Sequence, residues 1–187
     1  MPQTACLAQT RNPQRLRHLG LFGLISLSGL TACTPTLNWR ELRPEGAGVQ
    51  VQLPCKPSTF ARPLQLQGVA LDWNLLACSA GEQTWALAWG DLKDPALVTP
   101  ALLSLRAAAQ RNLAAPAAHT MPWAPPGATP NAEAARVQLQ GRTPDGRPAA
   151  QELAVFARGT AIYQASVMGA QALPEAAAQY FASLRVW

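Results

Sequence analysis

The sequence predicts an α+β domain: an antiparallel β-sheet with helices packed on it, preceded by an export segment. Three observations predict it. Apolar and polar residues alternate over short runs at 49–53, 64–67, 70–78, 84–89, 136–140 and 152–168, the period of half-buried strands. The period becomes helical at 100–113 and again at 173–184. The resulting order, strands then helix then strands then helix, is segregated rather than alternating, which is the α+β pattern.

Composition bounds the rest. The 187 residues are 49% hydrophobic and only 13% charged, with 17 Pro. Ordinary soluble domains are about 25% charged. The chain is too apolar for a disordered tail and too rich in Pro for a coiled coil. No apolar run reaches the roughly 18 residues of a spanning helix.

Residues 1–18 carry Arg11, Arg15, Arg17 and His18 and no acid. Leu19–Leu30 (LGLFGLISLSGL) is apolar and too short to span a bilayer, and small residues Thr31 and Ala32 precede Cys33. This basic, apolar, small order is the layout of a cleaved export signal over 1–32. Leu30-Thr31-Ala32-Cys33 resembles the lipobox of bacterial lipoproteins. The resemblance implies that Cys33 becomes a lipidated N-terminus, the chain's membrane partner. Stable anchoring takes two or more acyl chains. A plain signal peptide, with Cys33 an incidental thiol, is the competing reading. Thr34 is not the Asp associated with inner-membrane retention, so the resemblance favours the periplasmic face of the outer membrane.

Removing Arg11, Arg15 and Arg17 from the 15 basic residues leaves 12 against 10 acidic, a net charge of +2. No basic stripe remains to argue for nucleic acid. With Cys6 discarded and Cys33 lipidated, Cys55 and Cys78 remain, and in an oxidising compartment such a pair reads as a disulfide. Two free thiols or half a metal site are the alternatives. Neither Cys has another Cys or a His nearby in sequence, so no zinc site is expected.

Residues 33–47 read as a lipidated N-terminus and extended tether, and 48–187 as one domain. Val49, Val51 and Leu53 alternate with Gln50 and Gln52 up to Pro54. Leu64–Gln67 is a second short strand. Leu71, Trp73, Leu75 and Ala77 share one face of a third, and Trp85, Leu87 and Trp89 one face of a fourth, with Gly81 turning between them. Thr99 reads as an N-cap with Pro100 at the first helical position, and Leu102, Leu105, Ala109 and Leu113 follow at helical spacing. Residues 114–135 hold five Pro and read as a crossing loop, with room for one short strand around His119–Trp123. Arg136–Gln140 is a further strand, and Glu152–Ala157 with Ala161–Met168 a long hairpin through Gly159-Thr160. The closing helix over 173–184 turns Ala177, Tyr180, Phe181 and Leu184 inward, and Trp187 reads as a cap on its end.

Several of these segments together resemble the small bacterial envelope proteins with a PsbP-like α/β/α sandwich. They are Asn38-Trp39-Arg40, the strand and turn Val51-Gln52-Leu53-Pro54-Cys55-Lys56-Pro57, the strand 84–90, the helix 100–113, and Tyr180-Phe181-Ala182-Ser183-Leu184-Arg185. The stretch 114–135 departs from that pattern. That family shares no catalytic motif, so the resemblance implies a non-enzymatic binding or accessory role, with an envelope protein or a small apolar ligand as partner.

Motifs of chemistry are sparse. His119 is the one His after maturation, and no H-E-x-x-H, G-x-S-x-G, C-x-x-C or phosphate-cradling Gly loop is present. No catalytic residue, cofactor or metal is expected, and Asp91 with Asp94 reads as a helix-approach loop. An envelope hydrolase with an unfamiliar site is the alternative function. Trp73, Trp85 and Trp89 are the candidate ligand-groove aromatics, weighed against the commoner role of strand Trp as core.

Overall fold

Two hydrophobic faces on one sheet organise the molecule. The computed structural model describes residues 37–171 and 174–187, and Pro35–Trp187 forms a compact unit of its own. The expected signal peptide and Cys33 lie outside the described residues.

The main sheet has seven strands: β3 (Ser58–Leu66), β4 (Val69–Ala80), β5 (Gln83–Asp91), β6 (Ala118–Pro122), β7 (Ala135–Arg142), β8 (Pro148–Arg158) and β9 (Ala161–Gly169). Their spatial order is β3-β4-β5-β9-β8-β7-β6, antiparallel throughout. A second sheet of three short strands, β1 (Arg40–Leu42), β2 (Val49–Leu53) and β10 (Arg185–Val186), has β2 at its centre. The helices are α1 (Val98–Asn112) and α2 (Pro174–Ala182). The α+β class with an antiparallel sheet is therefore what the chain adopts.

Alternation along each strand sends side chains to opposite faces, and here both faces are covered. Leu71, Trp73, Val137, Leu153, Val155 and Ile162 form one core with Ala101, Leu102 and Leu105 of α1. Trp85, Leu87, Phe156, Tyr163 and Val167 form the other with Val49, Val51 and Leu53 of β2 and with Ala177, Tyr180 and Phe181 of α2. Leu153–Ala157 of β8 are all buried, as a strand covered on both sides requires.

Cys55, just after β2, is bonded to Cys78 on β4, with Cα atoms 5.9 Å apart, inside the usual span for a disulfide. It ties the small sheet to the edge hairpin of the large one.

Several sequence expectations are corrected. Part of the expected tether belongs to the fold: β1 pairs Leu42 with Val51, Trp39 packs edge-on against Trp85, and Ala47 is buried. The second strand runs nine residues, Ser58–Leu66, rather than four. Pro63 looks like a breaker in sequence, but an edge strand tolerates Pro because one side of its backbone has no partner. The helix starts earlier than Pro100. A 3₁₀ turn, Pro95–Leu97, is capped by Asp94, whose carboxylate accepts from Ala96 N at 2.8 Å. Thr99 caps nothing; its Oγ1 accepts from Asn131 Nδ2. Pro100 is tolerated because the first-turn N–H groups of a helix have no intrahelical partner. The 114–135 stretch contains β6 at the position left open for it, and its Trp123 packs on Phe156 and Phe181. Trp187 caps no helix: it follows β10, is exposed, and its N–H donates to Gly48 O.

The β3–β4 hairpin outruns β5. The β4–β5 ladder ends at Asn74↔Trp89, whereas β3 and β4 stay paired to Leu66↔Val69. The free tip leans over α1, where Gln67 Nε2 donates to Pro100 O and Ser104 Oγ. Gly90 permits the departure: a Cβ there would lie 2.6 Å from Leu71 Cδ1 and 2.9 Å from Asp72 O.

Candidate functional site

The three candidate tryptophans do not line one groove. Asn74 stands opposite Trp89 and Cys78 opposite Trp85, and directly paired residues share a face, so Trp73 points the other way. Trp73, 8% exposed, packs towards α1; Trp85, fully buried, belongs to the opposite core. Its Nε1 donates to Ala80 O at 3.1 Å and its ring meets Tyr180 edge-on. Trp73 and Trp85 are core residues because the sheet is covered on both faces. Trp89 is half-buried and borders open space on both sides.

The concave site with the most uniform chemistry lies between α1 and the sheet, a cleft of about 400 Å³. Leu105, Ala108 and Ala109 of α1 and Leu113 just after it form its roof. Gln151 of β8 with Gln164 and Met168 of β9 form its floor, and Thr143-Pro144 close one end. The volume falls in the usual range of small-molecule sites, about 300–1,000 Å³.

The floor departs from the sheet around it. Towards α1, β9 presents Ile162, Gln164, Ser166 and Met168, while its other face carries Tyr163, Ala165 and Val167. Polar groups on the central strand of a covered sheet are costly unless hydrogen-bonded or wet. The side-chain amides of Gln151, Gln164 and Asn112, the last at the rim, have no hydrogen-bond partner among the described residues. Among the described residues no buried side-chain nitrogen or oxygen is left unpaired, so these amides, which line the cleft, are accessible to a ligand. No charged residue lines it.

On the other face, a smaller hollow of about 110 Å³ is lined by Gln83, Gln138, Gln140, Gln171 and Glu152. Gln83 is buried over Gly169, its strand partner, where a Cβ would collide with the amide. Its Nε2 donates to Gln171 O at 2.9 Å, so it clamps the chain leaving β9. Glu152 is engaged by Arg136, whose guanidinium also lies 4.4 Å from the Phe181 ring centroid.

His119 lies on exposed β6 and lines none of these cavities. Asp91 and Asp94 do not form a catalytic pair. Asp94 caps the 3₁₀ turn, and Asp91 accepts from Lys93 and Thr160. Partial burial pushes the Asp91 carboxyl up, but the bonds from Lys93 and Thr160 outweigh it and hold it below the ordinary carboxylate value. Among the described residues no group of three His, Cys, Asp or Glu could hold a metal ion. No helix among them is long and apolar enough to cross a membrane.

The sequence singled out the tryptophans and missed the cleft. The available signal was Ile162 and Met168, which bracket Gln164 and Ser166 on a face that strict alternation assigns to solvent. No protein-family model, curated protein or solved structure matches the chain.

Proposed function

We propose that the protein is a non-enzymatic binding protein of the bacterial cell envelope, exported and lipid-anchored through Cys33. In this reading its fold is a PsbP-like α/β/α sandwich, and a small, largely apolar, uncharged ligand occupies the cleft beneath α1. The carrying observation is the cleft itself: apolar walls, no lining charge, and amides with unspent hydrogen-bonding capacity. Apolar walls supply affinity and a few convergent polar groups supply orientation, the usual division in ligand pockets. Amides both donate and accept, which suits a neutral polar head on an apolar body. The Cys55–Cys78 bond supports export, since disulfides persist in oxidising compartments. The exposed setting of His119 favours binding over His-dependent hydrolysis.

N-phenyl-1-naphthylamine, an uncharged apolar fluorophore, tests the cleft. Its emission is expected to rise saturably with the wild-type protein and to stay at the free-dye level with Ala108→Trp, which fills the cleft from the half-buried side of α1. Absence of saturable binding, or equal binding by the folded Ala108→Trp protein, overturns the reading.

The anchor has a separate test. Cys33→Ala is expected to move the protein from the membrane pellet to the soluble periplasmic fraction and to abolish palmitate labelling. Unchanged fractionation refutes lipidation at Cys33.

A further inference from the structure

Where β4 leaves β5 a second concavity opens, away from the α1 cleft and independent of the reading above. Two hollows of about 390 and 370 Å³ meet at Asn74 and Trp89, and the loop Arg43–Ala47 borders both. Trp89 stands between them, and its indole N–H has no partner within the described residues.

We propose that this groove binds an uncharged oligosaccharide strand laid across Trp89. An indole offers a flat apolar face for the C–H side of a pyranose ring together with a polar N–H at its edge. Around it stand planar hydrogen-bonding groups: the carboxylates of Asp72 and Glu45, neither in an ion pair among the described residues, and the Asn74 amide, whose Nδ2 donates to Asp72 O at 3.4 Å and whose Oδ1 is left to accept. The remaining charges are already engaged. Lys93 holds Asp91 at 2.7 Å and Arg43 holds Glu41 at 3.3 Å. The two carboxylates left without an ion pair disfavour an anionic ligand and can accept from the hydroxyl groups of a neutral one. Two hollows with an aromatic between them suit a chain of rings better than one compact molecule.

The far wall is held in place before any ligand arrives. Tyr163 Oη donates to Ala47 O at 2.8 Å from beneath the loop, and Ala47 is buried. Burial, aided by the Asp91 charge, keeps the Tyr163 phenol above its ordinary pKa and therefore a neutral donor. Preorganisation of this kind lowers the ordering cost of binding. Tyr163 is a positioning residue here: it does not touch the ligand.

The test is a ¹H–¹⁵N titration of the mature chain with cellotetraose, maltotetraose and tetra-N-acetylchitotetraose at millimolar concentration. At least one is expected to shift the Trp89 indole resonance saturably while the Trp85 indole stays still. Trp89→Ala should weaken that oligosaccharide by roughly tenfold or more, as for a central aromatic contact. Trp89→Phe, which keeps a ring, should retain most of the affinity and controls for lost packing. Asp72→Asn, which keeps an acceptor and loses the charge, should bind within a few fold of wild type at low and high salt. Tyr163→Phe should slow association more than it speeds dissociation, because only the loop is loosened. Failure of all three oligosaccharides to move the Trp89 indole overturns the proposal. So does saturable binding of spermidine there that Asp72→Asn or added salt abolishes, since that marks a cation site.

Discussion

Trp85→Ala is expected to destabilise the protein by about 3–5 kcal/mol, the cost of truncating a fully buried Trp. A protein of this size should then melt roughly 6–20 °C lower. The effect is large because three layers meet at this ring. Trp39, ahead of β1, and Tyr180 of α2 each lie 5.7 Å from it, both edge-on, and its N–H is spent on Ala80 O. Truncation opens a cavity between the two sheets and leaves that carbonyl without its partner. A double-mutant cycle with Trp39→Ala should show coupling of about 0.5–1.5 kcal/mol, the range for edge-to-face pairs. Trp187→Ala, at an exposed position, should stay within about 0.5 kcal/mol of wild type. Chemical denaturation monitored by circular dichroism measures all three. A Trp85→Ala loss under 1 kcal/mol would contradict the packing described here.

Removing the disulfide is the second large effect. Cys55 and Cys78 are 23 residues apart, and closing a loop of that size stabilises by about 3.5 kcal/mol in the chain-entropy model. The Cys55→Ser/Cys78→Ser protein should melt about 7–14 °C below wild type. Dithiothreitol should bring wild type down to the same temperature and leave the double variant unmoved. Non-reducing peptide mapping that finds both thiols free, or a melting temperature indifferent to reductant, would contradict the bond.

Sequence pattern revealed the long elements and missed the short ones for a physical reason. The strands around Trp85-Leu87-Trp89 and through 152–168 alternate over enough residues for the period to emerge. β1 and β10, three and two residues long, hold at most one and a half cycles of alternation, too few for a period to emerge. They exist because β2 offers a partner on each edge, a tertiary circumstance that no local pattern records. Pro63 concealed half of β3 because its tolerance depends on lying at an edge.

The candidate site followed the same division. That some of Trp73, Trp85 and Trp89 would be core was legible. Which of them would be was not, because the answer lies in the register Asn74↔Trp89. Gln151 and Gln164 carry no signal of their own in the sequence, and only the arrival of α1 over that face makes them a cleft floor. The groove at Trp89 depends on a still less local event, the departure of β4 from β5 opposite a residue without a side chain.

The bond from Cys55 to Cys78 also bears on force. Tension applied at the N-terminal end of the domain, where a tether would transmit it, first strips β1 from β2 and then β2 from β10. At Cys55 the load crosses the disulfide to Cys78 on β4 rather than running along the chain. β3 and most of β4, which lie between the two cysteines, are thereby taken out of the load path. In a reducing environment the same pull would run on through β3 and open the Trp89 groove.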